Sequence, residues 1–189
     1  MPKKVVVVGS GNAALSAGIA ALEKGADVVI YEKADKKMAG GNTKYTAGAM
    51  RFSYENGDQL IDLLKHPDDK RIKDTDFGTY TNEKFSLDLL NFNDGRPLSP
   101  EQKILVSKSF ETIQWLASHN VKFEPIYSRQ SFLKDGKHIF WGGLTLASEN
   151  EGVGLFDQEL AAFLSLGGKI HYNSPVNKLI YENNEVSGV

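Results

Sequence analysis

The residues of this sequence that are best suited to chemistry lie in a glycine-containing segment directly after an apolar run at residues 5–8. Gly9, Gly11 and Ala14 stand there in the spacing G-x-G-x-x-A. In such a loop the first glycine allows a tight turn out of a strand, and the second lets the backbone approach a pyrophosphate because it has no Cβ. Ala14, in place of a third glycine, keeps the following helix close to the sheet. The segment therefore indicates binding of a phosphate group by the backbone.

A helix must follow this loop for the phosphate to be held, and the sequence predicts one over residues 13–24. Small residues fill this segment, and Gly25 ends it as the residue just past the helix. Gly18 lies one turn along the same face and supports close packing. The start of the helix offers unpaired N–H groups around Asn12 and Ala13, together with the positive end of the helix dipole.

Two strands must position the loop and the helix. Residues 5–8 and 28–31 are apolar, β-branched-rich runs without polar alternation, which predicts strands buried on both faces of a parallel sheet. The second strand ends in Glu32, 23 residues after Gly9. A carboxylate there can accept hydrogen bonds from ribose hydroxyls and disfavours a 2′-phosphate. The complete unit predicts a dinucleotide site; the alternative is a tight turn that binds nothing.

A second segment of small residues distinguishes between the possible dinucleotides. After Glu32 and Lys33 comes a polar loop and then GGNTKYTAGAM at residues 40–50. Small residues allow a second close approach of the backbone to a ligand, and Asn42 and Thr43 add side-chain hydrogen bonds. An NAD-binding domain would usually supply another helix and a third strand here. The segment favours FAD, and a flexible glycine-rich loop is the alternative without a ligand.

The motifs in these segments resemble those of a known family, the flavoprotein subunits of fumarate reductases and succinate dehydrogenases. Soluble fumarate reductases, 3-ketosteroid dehydrogenases and tricarballylate dehydrogenase are relatives within it. The resemblance implies that Glu32 holds the adenosine ribose, that the second segment runs along the diphosphate towards the isoalloxazine ring, and that a backbone group near Val176 meets the adenine. The cofactor-binding residues expected on this basis are Gly9, Gly11, Asn12, Ala13, Ala14, Glu32, Lys33, Gly40, Gly41, Asn42, Thr43, Ala47, Gly48 and Val176.

The rest of the chain fits the same fold. Residues 155–166 are predicted to form a helix, residues 169–172 and 176–182 strands, and Asn183-Asn184 a turn. We expect an α/β fold: a Rossmann-like FAD-binding domain with a parallel sheet, helices and a small added β-hairpin or sheet. Residues 1–189 are expected to form this one domain. The family's capping domain and C-terminal FAD segment have no counterpart here, so we expect the domain to be incomplete.

Further helices are predicted in the middle of the chain. One covers residues 81–92, with Phe85, Leu89 and Phe92 on its buried face. Another begins at Ser99, because the sequence Ser-Pro-Glu-Gln places a capping serine, a proline in the first turn and a glutamine three residues on.

Composition excludes several other classes of function. The 189 residues carry a net charge of −2, which argues against nucleic-acid binding because such proteins show a basic footprint. The absence of cysteine excludes disulfides, thiolate catalysis and cysteine-ligated metal centres. The four histidines have no metal-ligand spacing, and no apolar run approaches the ~20 residues of a membrane helix. We expect no metal site, no nucleic-acid partner, no membrane span and a cytoplasmic location.

By resemblance, the complete protein would be an FAD-dependent oxidoreductase that moves a hydride between flavin N5 and a carbon next to a carboxylate or carbonyl. Its substrate would be a small carboxylate or ketone. We place no catalytic residue on this sequence, because the family's substrate-binding histidine and arginines lie in segments without a counterpart here. A partner chain could complete the enzyme. Two other hypotheses stay open: a non-catalytic or split nucleotide-binding domain, and an NAD-binding dehydrogenase domain.

Overall fold

The computed structural model describes residues 2–189, which form two compact units. The first consists of residues 2–46 and Gly152–Val189, and the second of Ala47–Glu151. The helices are α1 (Asn12–Glu23), α2 (Asp58–Ile61), α3 (Asn82–Phe92), α4 (Pro100–Ser118), α5 (Tyr127–Gln130) and α6 (Glu151–Ser165). The strands are β1 (Lys4–Val8), β2 (Asp27–Tyr31), β3 (Ala49–Met50), β4 (Thr75–Asp76), β5 (Phe123–Pro125), β6 (Ser131–Lys134), β7 (Lys137–Phe140), β8 (Leu146–Ser148), β9 (Lys169–His171), β10 (Ile180–Glu182) and β11 (Glu185–Gly188). Short 3-10 helices cover Gly41–Tyr45 and Ile72–Asp74.

The first unit is built on a parallel sheet of three strands in the order β1-β2-β9. Val5 pairs with Val28, and Ile30 pairs with both Val7 and Ile170, so apolar side chains of neighbouring strands share one face. Helices α1 and α6 supply the other side of this core, whose fully buried members include Leu15, Ile19, Val28, Ile30 and Phe163. The α/β architecture with a parallel sheet is therefore confirmed.

Helix α1 starts and ends within one residue of the prediction. Gly25 follows it at φ +77°, and its N–H donates to the Leu22 carbonyl at 2.8 Å. The N–H of Ala26 donates to the Ala21 carbonyl at 3.1 Å, which completes a glycine-terminated helix end. The role predicted for Gly25 is confirmed.

Strand β1 is less buried than its sequence predicts. Val6 and Val8 are 40% and 55% exposed, so the expectation of burial on both faces is wrong for this strand. The reason is that alternate side chains point to opposite faces of the sheet, and the face of Val6 and Val8 is only partly covered: their partners Val29 and Tyr31 on the central strand are half-buried as well. Val5 and Val7 share the face of the buried Val28, whereas Val6 and Val8 point to the opposite face.

The C-terminal part of the first unit differs from the prediction at two points. Helix α6 begins at Glu151, four residues earlier than expected, so it includes two glycines. The strand predicted over residues 176–182 begins only at Ile180, and Val176 lies in irregular chain before it. The predicted turn is confirmed, because Asn183 and Asn184 both adopt positive φ (51° and 64°) between β10 and β11.

The second unit contains two sheets of three strands, ordered β3-β8-β5 and β4-β7-β6. The capping box at the start of α4 is confirmed, since Ser99 Oγ accepts from the Gln102 N–H and Gln102 Oε1 accepts from the Ser99 N–H. On α3, Phe85 is buried as predicted, but Phe92 is 88% exposed and Leu89 only half-buried. The core ends before the last turn of α3, so the predicted apolar face is too long.

Across residues 2–189, no helix has both the length and the apolar character needed to cross a membrane.

Candidate dinucleotide-binding site

The predicted phosphate loop occupies the carboxyl end of β1 and the start of α1. Gly9 adopts φ +90°, a conformation that favours glycine, and its N–H donates to the Tyr31 carbonyl at 2.8 Å. Gly11 is the N-cap of α1, and its carbonyl accepts from the N–H groups of Ala14 and Leu15. The loop therefore turns sharply out of β1 and leads directly into the first turn of the helix.

Two hydrogen bonds join this loop to the second glycine-rich segment. The Gly40 N–H donates to Ser10 Oγ at 3.0 Å, and the Asn12 N–H donates to Thr43 Oγ1 at 2.9 Å. A Cβ added at Gly11 would lie only 3.2 Å from Thr43 Oγ1. A side chain at Gly11 would therefore crowd Thr43 of the second segment even before a ligand approaches.

Ser10 is the residue that sequence reasoning missed in this loop. Its hydroxyl accepts from Gly40 and donates to Glu32 Oε2 at 2.6 Å, so it connects the loop, the second segment and the acid. Its only signal in the sequence is a hydroxyl at the variable position between Gly9 and Gly11, which the motif leaves unspecified.

Glu32 is a buried carboxylate held in one orientation. It is 5% exposed, and its Oε1 accepts from the Ala34 N–H at 2.8 Å while Oε2 accepts from Ser10. Burial acts to raise the pKa of Glu32, but the hydrogen bonds from Ala34 and Ser10 and the charge of Lys33 outweigh it and lower that pKa. Each carboxylate oxygen offers about two acceptor positions, so an ionised Glu32 can still accept from a ligand hydroxyl.

The start of α1 still has unpaired donors. The N–H groups of Gly11 and Ala13 have no acceptor within residues 2–189, whereas that of Asn12 is taken by Thr43. Unpaired N–H groups at a helix start, together with the helix dipole, favour an anion such as a phosphate. This end of α1 can hold a pyrophosphate.

The structure brings most of the predicted site residues of the first unit together, through the two loops and Glu32. Gly41, Asn42 and Thr43 lie in the 3-10 helix that follows Gly40, with Asn42 exposed. Lys33 is also exposed.

Three predicted site residues lie outside the two loops and Glu32, namely Val176, Ala47 and Gly48. Val176 is half-buried in irregular chain, just after Ser174, whose N–H donates to the Glu32 carbonyl at 2.9 Å. Ala47 and Gly48 belong to the second unit, where Gly48 adopts φ +65° and accepts at its carbonyl from the Ser148 N–H at 3.0 Å.

A second residue that the sequence analysis missed is Glu159, a fully buried carboxyl group on α6. Ser16 Oγ donates to its Oε1 at 2.9 Å, and the Asn12 amide, turned so that its nitrogen faces Glu159, donates to Oε1 and Oε2 at 2.8 and 3.1 Å. Burial raises the pKa of Glu159 to about 7, against a smaller lowering by Ser16. A signal existed: Glu159 stands at helical spacing between the apolar residues Phe156 and Phe163.

No group of three or more histidine, aspartate or glutamate side chains among residues 2–189 could hold a metal ion. The site is therefore one of backbone donors, hydroxyls and a fixed carboxylate, and these features define a dinucleotide-binding α/β domain.

Comparison with known proteins identifies the family. Residues 4–189 match the FAD binding domain family, and the chain belongs to it. FAD is accordingly its cofactor, and the fold is that of the FAD-binding domain of fumarate reductase and succinate dehydrogenase flavoproteins.

Individual relatives agree with this assignment. The chain is 30% identical to digoxin reductase of Eggerthella lenta over 120 residues. This match covers 64% of this chain and 19% of that protein. It is also 32% identical to fumarate reductase (cytochrome) of Shewanella frigidimarina over 114 residues. This match covers 60% of this chain and 17% of that protein. The matched part of the chain thus covers less than a fifth of the length of these relatives.

Among solved structures, 3-ketosteroid Δ1-dehydrogenase from Sterolibacterium denitrificans superposes with a TM-score of 0.69 over 97% of this chain and 45% of that one. The sequence identity is 13%, so this likeness shows the fold alone.

Proposed function

We propose that the chain is the FAD-binding part of a flavin-dependent oxidoreductase that transfers a hydride to or from a carbon next to a carboxylate or carbonyl. Two curated relatives are by name reductases, which supports redox chemistry. When bound, FAD supplies the hydride-accepting and hydride-donating atom, and this chain supplies binding and orientation.

The single observation that carries the proposal is the pair of hydrogen bonds that join the phosphate loop to the second segment, Gly40 to Ser10 and Asn12 to Thr43. They hold two glycine-rich backbones against each other at the start of α1, where unpaired N–H groups are available. A single phosphate loop serves any dinucleotide, whereas a second, locked loop suits a cofactor that extends further along the backbone, as FAD does.

The roles of individual residues follow from this arrangement. The N–H groups of Gly11 and Ala13 donate to the pyrophosphate, and Glu32 accepts from the adenosine ribose. Gly9 and Ala14 shape the turn and the helix start. The other assigned residues lie along the diphosphate, beside the flavin or at the adenine. They are Asn12, Lys33, Gly40, Gly41, Asn42, Thr43, Ala47, Gly48 and Val176.

Binding measurements with a Thr43→Ala variant test this assignment. The substitution removes the acceptor of the Asn12 N–H, and a lost hydrogen bond of about 1 kcal/mol weakens FAD binding roughly five- to tenfold. Calorimetric titration of FAD into the wild type and the variant measures the change. Ser165→Ala is the matched control, because its hydroxyl bonds only the carbonyl of Ala162 at the far end of α6.

Two results would contradict the assignment. Wild-type chain that binds no FAD would overturn it, and binding of NADH more tightly than FAD would favour the NAD-binding hypothesis instead. Equal FAD affinity of Thr43→Ala and the wild type would remove the second segment from the site.

The hydride-transfer part of the proposal needs its own test. Native protein carrying reduced flavin is mixed anaerobically with an unsaturated carboxylate or an unsaturated ketone, and the flavin absorbance is followed. Reoxidation faster than that of free reduced FAD is expected for one of the two substrate classes. Reoxidation no faster than free flavin for either class would favour the non-catalytic hypothesis.

The proposal carries four further predictions. The substrate is a small carboxylate or ketone, a partner chain completes the enzyme, residues 1–189 belong to one FAD-binding domain, and the location is cytoplasmic.

A further inference from the structure

Glu159 is the one fully buried ionisable side chain of the first unit that the cofactor assignment above leaves without a role. Its carboxyl group lies on α6 and faces the first two turns of α1, where it meets Asn12 and Ser16. Neither partner carries a charge, so nothing in this contact neutralises an ionised Glu159. A carboxylate buried without a cation is costly, and the group can respond by binding a proton.

Asn12 connects this carboxyl group to the dinucleotide site. Its backbone N–H belongs to the start of α1 and donates to Thr43, while its side-chain amide meets Glu159. The amide suits either charge state: its nitrogen can donate to an ionised carboxylate, or its oxygen can accept from a protonated carboxyl group after a half-turn. Both forms of Glu159 therefore keep a hydrogen-bonded partner at the helix start.

The charged groups on the surrounding elements do not pair with Glu159 within the described residues. Lys44 of the 3-10 helix lies over the Phe156 ring at 5.2 Å, and Glu32 is held by Ser10 and Ala34. Asp157 is exposed on the same helix as Glu159. The remaining charged or titratable groups of α1, its C-cap, α6 and β9 are Glu23, Lys24, Glu151, Lys169 and His171.

We propose that Glu159 is a positioning residue of the dinucleotide site whose carboxyl group becomes protonated when a pyrophosphate binds at the start of α1, so that the chain takes up a proton as it binds FAD. The inference rests on the proposed placement of FAD. A pyrophosphate brings two negative charges to the helix start, and a further negative charge buried beneath the same turn is unfavourable in a medium of low dielectric constant. The neutral carboxyl group keeps its bond to Asn12 without that repulsion.

Proton uptake is measured directly by calorimetry. FAD is titrated into the chain at pH 7 in buffers with different heats of ionisation, for the wild type, Glu159→Gln and Asp157→Asn. Glutamine keeps the size and the hydrogen bonds of Glu159 but cannot ionise, and Asp157→Asn removes an exposed carboxylate from the same helix as the matched control. The wild type and Asp157→Asn are expected to bind more protons per FAD than Glu159→Gln, by about half a proton at most, because burial raises the pKa of Glu159 to about 7.

The affinity follows the same linkage. Between pH 6 and 8 the wild type is expected to lose FAD affinity severalfold as pH rises, while Glu159→Gln keeps a flatter profile. A purely structural role for Glu159 would change the affinity of Glu159→Gln equally at every pH. The difference between variants also cancels the contributions of every other group that the variants share.

A measurement on the wild type alone guards against misfolding of the variant. Glutamate carboxyl carbons labelled with ¹³C are followed by NMR over pH 5 to 9, with and without FAD, and the pKa of the Glu159 signal is expected to rise when FAD is present. FAD binding with equal proton uptake in Glu159→Gln and the wild type, or with an unchanged pKa of Glu159, overturns the inference alone. Failure of the wild type to bind FAD overturns the proposed site, and the inference with it.

Discussion

At the scale of single residues, the site depends on a hydroxyl group that the glycine motif does not specify. Ser10 accepts a hydrogen bond from Gly40 and donates one to Glu32, so one side chain sets both the spacing of the two loops and the direction of the acid. A single hydroxyl group can donate and accept hydrogen bonds at the same time.

A Ser10→Ala substitution isolates this contribution. It leaves the buried Gly40 N–H without its acceptor and removes a donor from Glu32, so the free energy of unfolding should fall by about 1–3 kcal/mol and FAD affinity should fall with it. Urea unfolding and FAD titration measure the two effects. Ser165→Ala should change neither, and a Ser10→Ala variant as stable as the wild type would contradict the bridging role.

The raised pKa of Glu159 also makes stability depend on pH. Its folded-state pKa of about 7 lies above the ordinary value of 4.5, so the folded chain holds this proton more tightly than the unfolded chain. The resulting stabilisation is complete below pH 4.5 and is lost as pH rises towards 7, by about 3 kcal/mol in total. Denaturant unfolding of apoprotein at pH 5 and pH 8 should show this loss in the wild type and in Asp157→Asn. A similar loss in Glu159→Gln would assign it to another group.

At the scale of elements, α1 depends on two glycines for different reasons: Gly18 lies within the helix, and Gly25 follows its C-terminal end. Gly25 has open space around its Cα but needs positive φ, whereas Gly18 has ordinary helical φ but no room. A Cβ at Gly18 would lie 2.8 Å from the ring of Phe163, so α1 and α6 approach each other at this point. The sequence analysis assigned Gly18 to close packing; the structure adds that the aromatic ring of α6 is what it packs against.

A double-mutant cycle tests this contact. Alanine would stabilise an unconstrained helix by about 1 kcal/mol relative to glycine. Against the ring of Phe163 we expect Gly18→Ala to destabilise the chain by about 1–3 kcal/mol instead, since overpacking forces side chains off their rotamers. Thermal unfolding of Gly18→Ala, Phe163→Leu and the double variant should show that the smaller side chain relieves part of the cost. Gly18→Ala as stable as the wild type would rule out the tight contact.

The features that could be predicted from the sequence are those that depend on local backbone conformation. The turn at Gly9, the helix end at Gly25 and the capping box at Ser99 each follow from backbone conformations or hydrogen bonds within a few residues. The exposure of Val6 and Phe92 could not be predicted, because it depends on which face of the sheet is covered and on where the core ends. The bonds of Ser10 and Glu159 join residues 22 to 143 positions apart, which no local pattern records.

At the scale of the whole molecule, the two units differ in how the chain builds them. The second unit is one continuous segment, Ala47–Glu151, whereas the first combines two separate segments, residues 2–46 and Gly152–Val189. Its three-stranded sheet forms only when β9 pairs with β2, at Ile30 and Ile170. Contacts between distant segments form slowly because a long loop must close first.

Refolding experiments should therefore resolve the two units. In pulse-labelled hydrogen exchange, backbone amides of α4, which bond within the helix, are expected to become protected earlier than those of β9, whose partner β2 lies about 140 residues away. The expectation concerns the rates of refolding, so it does not depend on which unit is the more stable at equilibrium. Simultaneous protection of β9 and α4 would contradict it.

The divided first unit has a consequence for synthesis on the ribosome. When residues up to Glu151 have emerged, the chain already carries β1, α1, β2 and both glycine-rich loops, but not β9 or Glu159. One edge of β2 is then unpaired, and such an edge is a template for pairing with other chains. The nascent chain therefore passes through a stage in which both glycine-rich loops exist while β2 still has an open edge.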